Sequence, residues 1–200
     1  MVVGHWVGLN DAGALGNFIG DAVKGRDVEQ TWGQAVGLGI RVHRSIDDVS
    51  DRCLASVEAR KVLRSQCGKW SGVVWDVLVD HVLAKEFQEL APGCGSLKAF
   101  AASQEARLER MRGEMPERSR RFFDAMVTHG WLEGYRDGET VNAVLEAMSR
   151  RRETAGPVAF GWRAFVQDET QLTECARRLV LGMQAWGREV NLVSLGQRPG

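Results

Sequence analysis

Apolar residues recur at intervals of three and four along most of the chain, the spacing of one helical face, and strict apolar–polar alternation is nearly absent. Leu15, Phe18, Ile19 and Val23 form one such face, and Val141, Val144, Leu145 and Met148 a second. Leu172, Cys175, Leu179, Met183 and Trp186 make a long third. Helix starts follow from Ser96 before Leu97 and from Pro116 before Glu117. Asp168 marks another, because its side chain can cap a first turn containing Gln171 in capping-box fashion. Ala155-Gly156-Pro157 predicts a break between late helices, and the end of the chain reads as a frayed tail from about residue 194. The pattern predicts an all-α, single-domain helical bundle of about seven or eight helices over residues 1–200.

Composition narrows the class without naming a chemistry. Of 200 residues, 44% are hydrophobic and 26% charged, enough for one sizeable core and unlike a disordered or fibrous chain. Lys plus Arg (26) balance Asp plus Glu (26), so the global basic charge of a nucleic-acid-binding protein is missing. No apolar run approaches the ~18 residues of a membrane span, and the first residues lack the basic flank and apolar core of a secretory signal. A cytoplasmic protein without membrane or nucleic-acid partners is expected. Cys53, Cys67, Cys94 and Cys175 show no CxxC spacing and are expected as free thiols. Nothing in the sequence indicates the oligomeric state.

Ligand-type side chains sit four apart, hence on one helical face, in three segments: Asn17 with Asp21, His43 with Asp47, and Asp76 with Asp80. His81 follows Asp80, and His5 adds an imidazole near the start. Asp21, Asp47 and Asp80 lie among apolar sequence neighbours, and a carboxylate taken out of water needs a metal or a cation. Mixed imidazole and carboxylate donors without thiolates suit manganese, iron, magnesium or zinc, and the oxygen-rich mixture leans toward manganese or magnesium. In a helical pocket such an ion serves phosphoryl chemistry. Lys24, Arg44 and Lys85 lie nearby in sequence as candidate phosphate ligands, Arg44 foremost because its planar fork can hold two oxygens. Phosphate loops, nucleophile elbows and HExxH motifs are absent.

The segments Leu15-Gly16-Asn17-Phe18-Ile19-Gly20-Asp21-Ala22-Val23-Lys24-Gly25, His43-Arg44-Ser45-Ile46-Asp47 and Trp75-Asp76-Val77-Leu78-Val79-Asp80-His81-Val82-Leu83 together resemble the acyl carrier protein phosphodiesterase family. Trp131-Leu132-Glu133-Gly134-Tyr135-Arg136-Asp137 and Met148-Ser149-Arg150-Arg151 extend the resemblance, from about residue 13 to 152. The family is grouped with HD-domain metal-dependent phosphohydrolases, so the resemblance implies an HD-domain-like fold. It also implies hydrolysis of the phosphodiester that links 4'-phosphopantetheine to a serine of holo acyl carrier protein, with manganese as the usual ion.

Carried over by position, the resemblance makes Asp21, His43, Asp47, Asp80 and His81 the metal and catalytic set, with Lys24, Arg44 and Lys85 on phosphate and His5, Asn17 and Asp76 less direct. The implied partner is acidic, so one of the arginine groups at Arg107-Arg110-Arg112, Arg118-Arg120-Arg121, Arg150-Arg151-Arg152 or Arg177-Arg178 would dock it. A second reading gives the same site a nucleotide or another small phosphoester. A third is a non-catalytic helical interaction protein whose polar pairs satisfy one another.

Overall fold

The computed structural model describes residues 2–194, which contain thirteen α-helical and four 3-10 segments and no strand. The eight helices of nine residues or more are α1 (Asp11–Ile19), α2 (Gln34–Arg52), α3 (Leu54–Cys67), α4 (Ser71–Lys85), α5 (Leu97–Arg110), α6 (Glu117–Thr128), α7 (Gly138–Ser149) and α8 (Glu169–Ser194). The all-α class is as the periodicity predicted. The expected seven or eight helices is corrected upward, because short helices at Val2–Trp6, Val28–Trp32, Phe87–Leu90, Trp131–Gly134 and Gly161–Gln167 are added. One or two turns place too few apolar residues on a face for a period to be read. The tail beyond Ser194 lies outside the described residues.

Helix boundaries follow local chemistry. Pro116 is the residue before α6 and Asp168 precedes α8, as predicted. Asn10 caps α1, its Oδ1 accepting from the Gly13 N–H at 2.9 Å. The predicted break at Ala155-Gly156-Pro157 is instead inside a 3-10 stretch, Glu153–Phe160. The proline ring fixes φ near about −65°, within the range of a 3-10 turn.

Contacts gather into two compact units. The first takes residues up to Ser50, Lys98–His129 and those from Gly182 onward. Its helices α1 and α2 approach backbone to backbone: a Cβ on Gly16 would lie 2.0 Å from the Val36 carbonyl oxygen, and one on Gly39 2.0 Å from that of Gly13. Leu15, Ile19 and Ile40 are fully buried around this crossing. Asp11, at the start of α1, is held by Arg107 and Arg110 of α5.

The second unit takes Asp51–Leu97 and Gly130–Leu181. Its packing is made by side chains. Trp75 is buried and donates through Nε1 to the Ser56 hydroxyl at 3.0 Å, tying α4 to α3. Leu63, Leu78, Leu145, Phe165 and Leu172 are buried in the same unit. Bidentate contacts from Arg177 to Glu86 at 2.7 Å fasten α8 to the residue that ends α4.

Candidate metal centre

Three predicted site residues converge in the first unit. His43 and Asp47 stand one turn apart on α2, and Asp21 comes from the 3-10 turn Gly20–Ala22 that follows α1. His43 Nε2 lies 3.3 Å from Asp21 Oδ1 and 3.3 Å from Asp47 Oδ2. Among the described residues, this is the one group of three or more His, Cys, Asp or Glu whose ligand atoms all fall within 4.8 Å of one another.

The helix crossing sets this geometry. A Cβ on Gly20 would come within 2.4 Å of the His43 ring, so only glycine lets α2 bring the imidazole against the Asp21 turn. Sequence reasoning did not single out Gly16, Gly20 and Gly39. The four-residue spacing of Gly16 and Gly20 on the face shared with Asn17 was the available signal. Arg44 holds the next stretch, donating through Nη1 to the Gly25 carbonyl at 2.8 Å and through Nη2 to the Val23 carbonyl at 3.1 Å. Gly25 itself has a φ of 93°, which only glycine adopts readily. The fork read as a phosphate clamp is thus committed to the turn that carries Lys24.

Exposure differs from the expectation of buried carboxylates. The Asp21 and Asp47 side chains are 92% and 56% exposed, while that of His43 is 20% exposed. Asp76 and Asp80 are exposed as well. Apolar neighbours in sequence point to other sides of a helix, and so do not enclose the carboxylate between them. The Asp21 carboxyl is held below its ordinary range, chiefly by its hydrogen bond with His43 and further by the charges of His43, Lys24 and Arg118. The His43 imidazole is pushed up, first by the Asp21 hydrogen bond and, against the opposing effect of burial, by the charges of Asp47 and Asp21 and a hydrogen bond to the Asn17 carbonyl.

The donor set fits a hard divalent ion. Three atoms each ~2.0–2.2 Å from one ion lie at most ~4.4 Å apart, so a spread within 4.8 Å requires only a few tenths of an ångström of closure. The carbonyl contact on the ring is the kind of outer hydrogen bond that orients a ligating histidine.

The other predicted residues are placed as follows. His81, in the second unit, is 2% exposed, with Nδ1 2.8 Å from the Tyr135 carbonyl. A carbonyl only accepts, so Nδ1 carries the proton and the neutral ring keeps its lone pair on Nε2. The ring meets Trp162 and Phe165 edge-on at 5.2 and 5.3 Å, and burial lowers its pKa. Asp80 combines an exposed surface with close protein surroundings, and the hydration lost to those surroundings raises its pKa. Its charge helps to push up the Tyr135 hydroxyl, whose main cause is burial. Lys85 pairs with Glu169 at 3.2 Å. In the first unit, His5 packs edge-on against Phe100 at 5.6 Å and lines a small cavity with Asn17, Gln104 and Arg107.

Asp21, His43 and Asp47 form a candidate metal-ligating cluster, and imidazole and carboxylate are donors of the kind that metal-assisted hydrolases use. The acyl carrier protein phosphodiesterase family model matches residues 5–181, and the chain belongs to that family. Among its relatives, the acyl carrier protein phosphodiesterase of Salmonella dublin is 29% identical over 158 residues, 79% of this chain and 81% of the relative. The proteins of that name from Salmonella newport and Salmonella agona are each 28% identical over the same shares. No solved structure matches the chain.

Proposed function

We propose that this protein hydrolyses the phosphodiester linking 4'-phosphopantetheine to a serine of holo acyl carrier protein, leaving the apo carrier. The observation that carries the reading is the convergence of Asp21, His43 and Asp47 in a chain of this family. The three side chains would hold one divalent ion, manganese in first place with magnesium or iron as the other hard candidates. Bound there, the ion would supply charge neutralisation at phosphoryl oxygens and an acidified water.

The chain's own groups do the rest. Lys24, exposed on the turn that Arg44 fastens, offers an ammonium to a phosphoryl oxygen. Arg44 acts through that turn, by fixing where Lys24 and Asp21 stand. Asp80 and His81, in the second unit, belong to the set implied by the family motif: the raised carboxyl is suited to carry a proton, and the Nε2 lone pair to accept one or to bind metal. Lys85 and Asp76 in the second unit, and His5 and Asn17 in the first, are assigned supporting parts. An HD-domain-like arrangement is part of the same reading, as is a cytoplasmic location. No helix among the described residues is long and apolar enough to cross a membrane.

Mass spectrometry of holo carrier protein, incubated with this protein and manganese, is the direct test. Loss of the phosphopantetheine mass, prevented by a chelator, is the expected result. An unchanged mass at high protein concentration would defeat the assignment. A nucleotide or simple diester cleaved in place of the carrier would transfer the same site to another substrate.

A further inference from the structure

We propose that the outward face of α6 bearing Arg118 and Phe122, together with Lys24 of the Asp21 turn, is the docking surface for the protein substrate, and that the docked segment is acidic and amphipathic. This rests on the hydrolase reading and adds where, and by what chemistry, the partner is held.

The helix has two faces. Ser119, Phe123 and Met126 are buried, while Arg118 and Phe122, one turn apart, face solvent. Phe122 is 47% exposed, a large apolar side chain that the unit leaves half uncovered. On its inner side it meets Phe18 of α1 with ring centroids 5.9 Å apart. Phe18 is one turn before Asp21, so the exposed ring adjoins the stretch that supplies the candidate metal ligand. Arg118 is electrostatically linked to the same carboxyl, as is Lys24. Two cations and an apolar ring therefore adjoin the predicted reaction centre within one unit.

Charge pairing takes most of the other grouped arginines. Arg107 and Arg110 bind Asp11, Arg112 binds Asp124, and Arg121 binds Glu117. Arg177 and Arg178 are taken by Glu86 and Glu58, and Arg150 faces Glu146. Arg118, Arg120, Arg151 and Arg152 are in none of these pairs, and of the four it is Arg118 whose charge acts on the Asp21 carboxyl. A guanidinium outside these ion pairs, one turn from a half-exposed phenyl ring, is complementary to a partner segment that carries carboxylates around an apolar side chain.

The test measures binding apart from cleavage. Labelled apo carrier protein, which lacks the scissile bond, is titrated with the full-length protein and followed by fluorescence anisotropy. At low salt, Arg118→Glu is expected to weaken binding about tenfold or more, and raised salt to narrow its gap from wild type. Phe122→Ser is expected to weaken binding several-fold, Arg118→Lys to keep most of the affinity, and Arg152→Glu, in the second unit, to leave it unchanged. Equal affinity of Arg118→Glu and wild type overturns the proposal, as does absence of binding by wild type or an equal loss in Arg152→Glu. Cleavage of holo carrier with binding indifferent to Arg118 would leave the hydrolase reading standing without this surface. Arg118-dependent binding without cleavage would do the reverse.

Discussion

His43 lies four residues before Asp47 and His81 directly follows Asp80, and their surroundings give the two imidazoles opposite electrostatics. His43 has Nε2 at 3.3 Å from two carboxylates, which hold its proton more firmly than usual. His81 is enclosed by aromatic rings, with Nδ1 on a carbonyl, and burial makes it lose its proton more readily. The supports differ as well. His43 is placed by a glycine-lined approach of two backbones, whereas His81 is placed by side-chain packing. One sequence signal, a histidine near an aspartate, thus covers two kinds of site: an imidazole whose proton two carboxylates favour, and a buried imidazole whose neutral form is favoured.

Substitutions should separate them. The largest expected effect on chemistry is at Asp47→Ala, where manganese-dependent release of phosphopantetheine should fall by about 100-fold or more. The side chain is 56% exposed, so the thermal midpoint of the metal-free variant should stay near that of wild type. Full activity in that variant would remove the cluster from the mechanism. Gly39→Ala should be the most damaging to stability, because its Cβ would sit 2.0 Å from the Gly13 carbonyl oxygen. A loss of about 3 kcal/mol or failure to fold is expected in urea titrations. A normal midpoint would contradict the close crossing. His81→Ala should cost about 2–4 kcal/mol by emptying a packed site, while His43→Ala should cost much less.

Metal and pH sharpen the contrast with smaller effects. Manganese at 100 times its Kd should stabilise wild type by ~2.7 kcal/mol and leave Asp47→Ala unmoved. A shift of equal size in the variant would place the ion elsewhere. In metal-free protein the two histidines should also pull the pH profile of stability in opposite directions. His43 has a raised folded pKa, so its contribution is complete below the unfolded value of 6.5 and is lost as pH rises through the folded value. His81 has a lowered one, so its contribution is present above 6.5 and is lost as pH falls toward the folded value. His43→Gln should flatten the alkaline limb of melting temperature against pH, and His81→Gln the acid limb. The reverse assignment would mean that the two environments have been exchanged.

Periodicity made the long helices legible, because a 3.6-residue repeat of apolar side chains is written in order along the chain. Phe18 and Ile19 of α1, or Leu172 and Leu179 of α8, announce their faces in this way. The i, i+4 rule likewise put His43 and Asp47 on one face before any coordinates. One-turn helices were out of reach, since Trp131–Gly134 or Phe87–Leu90 has no repeat to detect. The enclosure of the carboxylates was misjudged for a related reason: neighbours in sequence are not neighbours across a helix.

By itself the sequence determined the all-α class, the long helices, the family and the list of residues able to bind metal or phosphate, since each depends on local order or on motif. Only the tertiary structure decided that Asp21 meets His43 and Asp47, that Arg44 clamps a turn, that His81 is neutral and enclosed, and that the charge of Arg118 acts on the Asp21 carboxyl. Those outcomes depend on contacts between segments distant along the chain. Distance, burial and charge compensation there are set by how helices cross, and no local pattern encodes that.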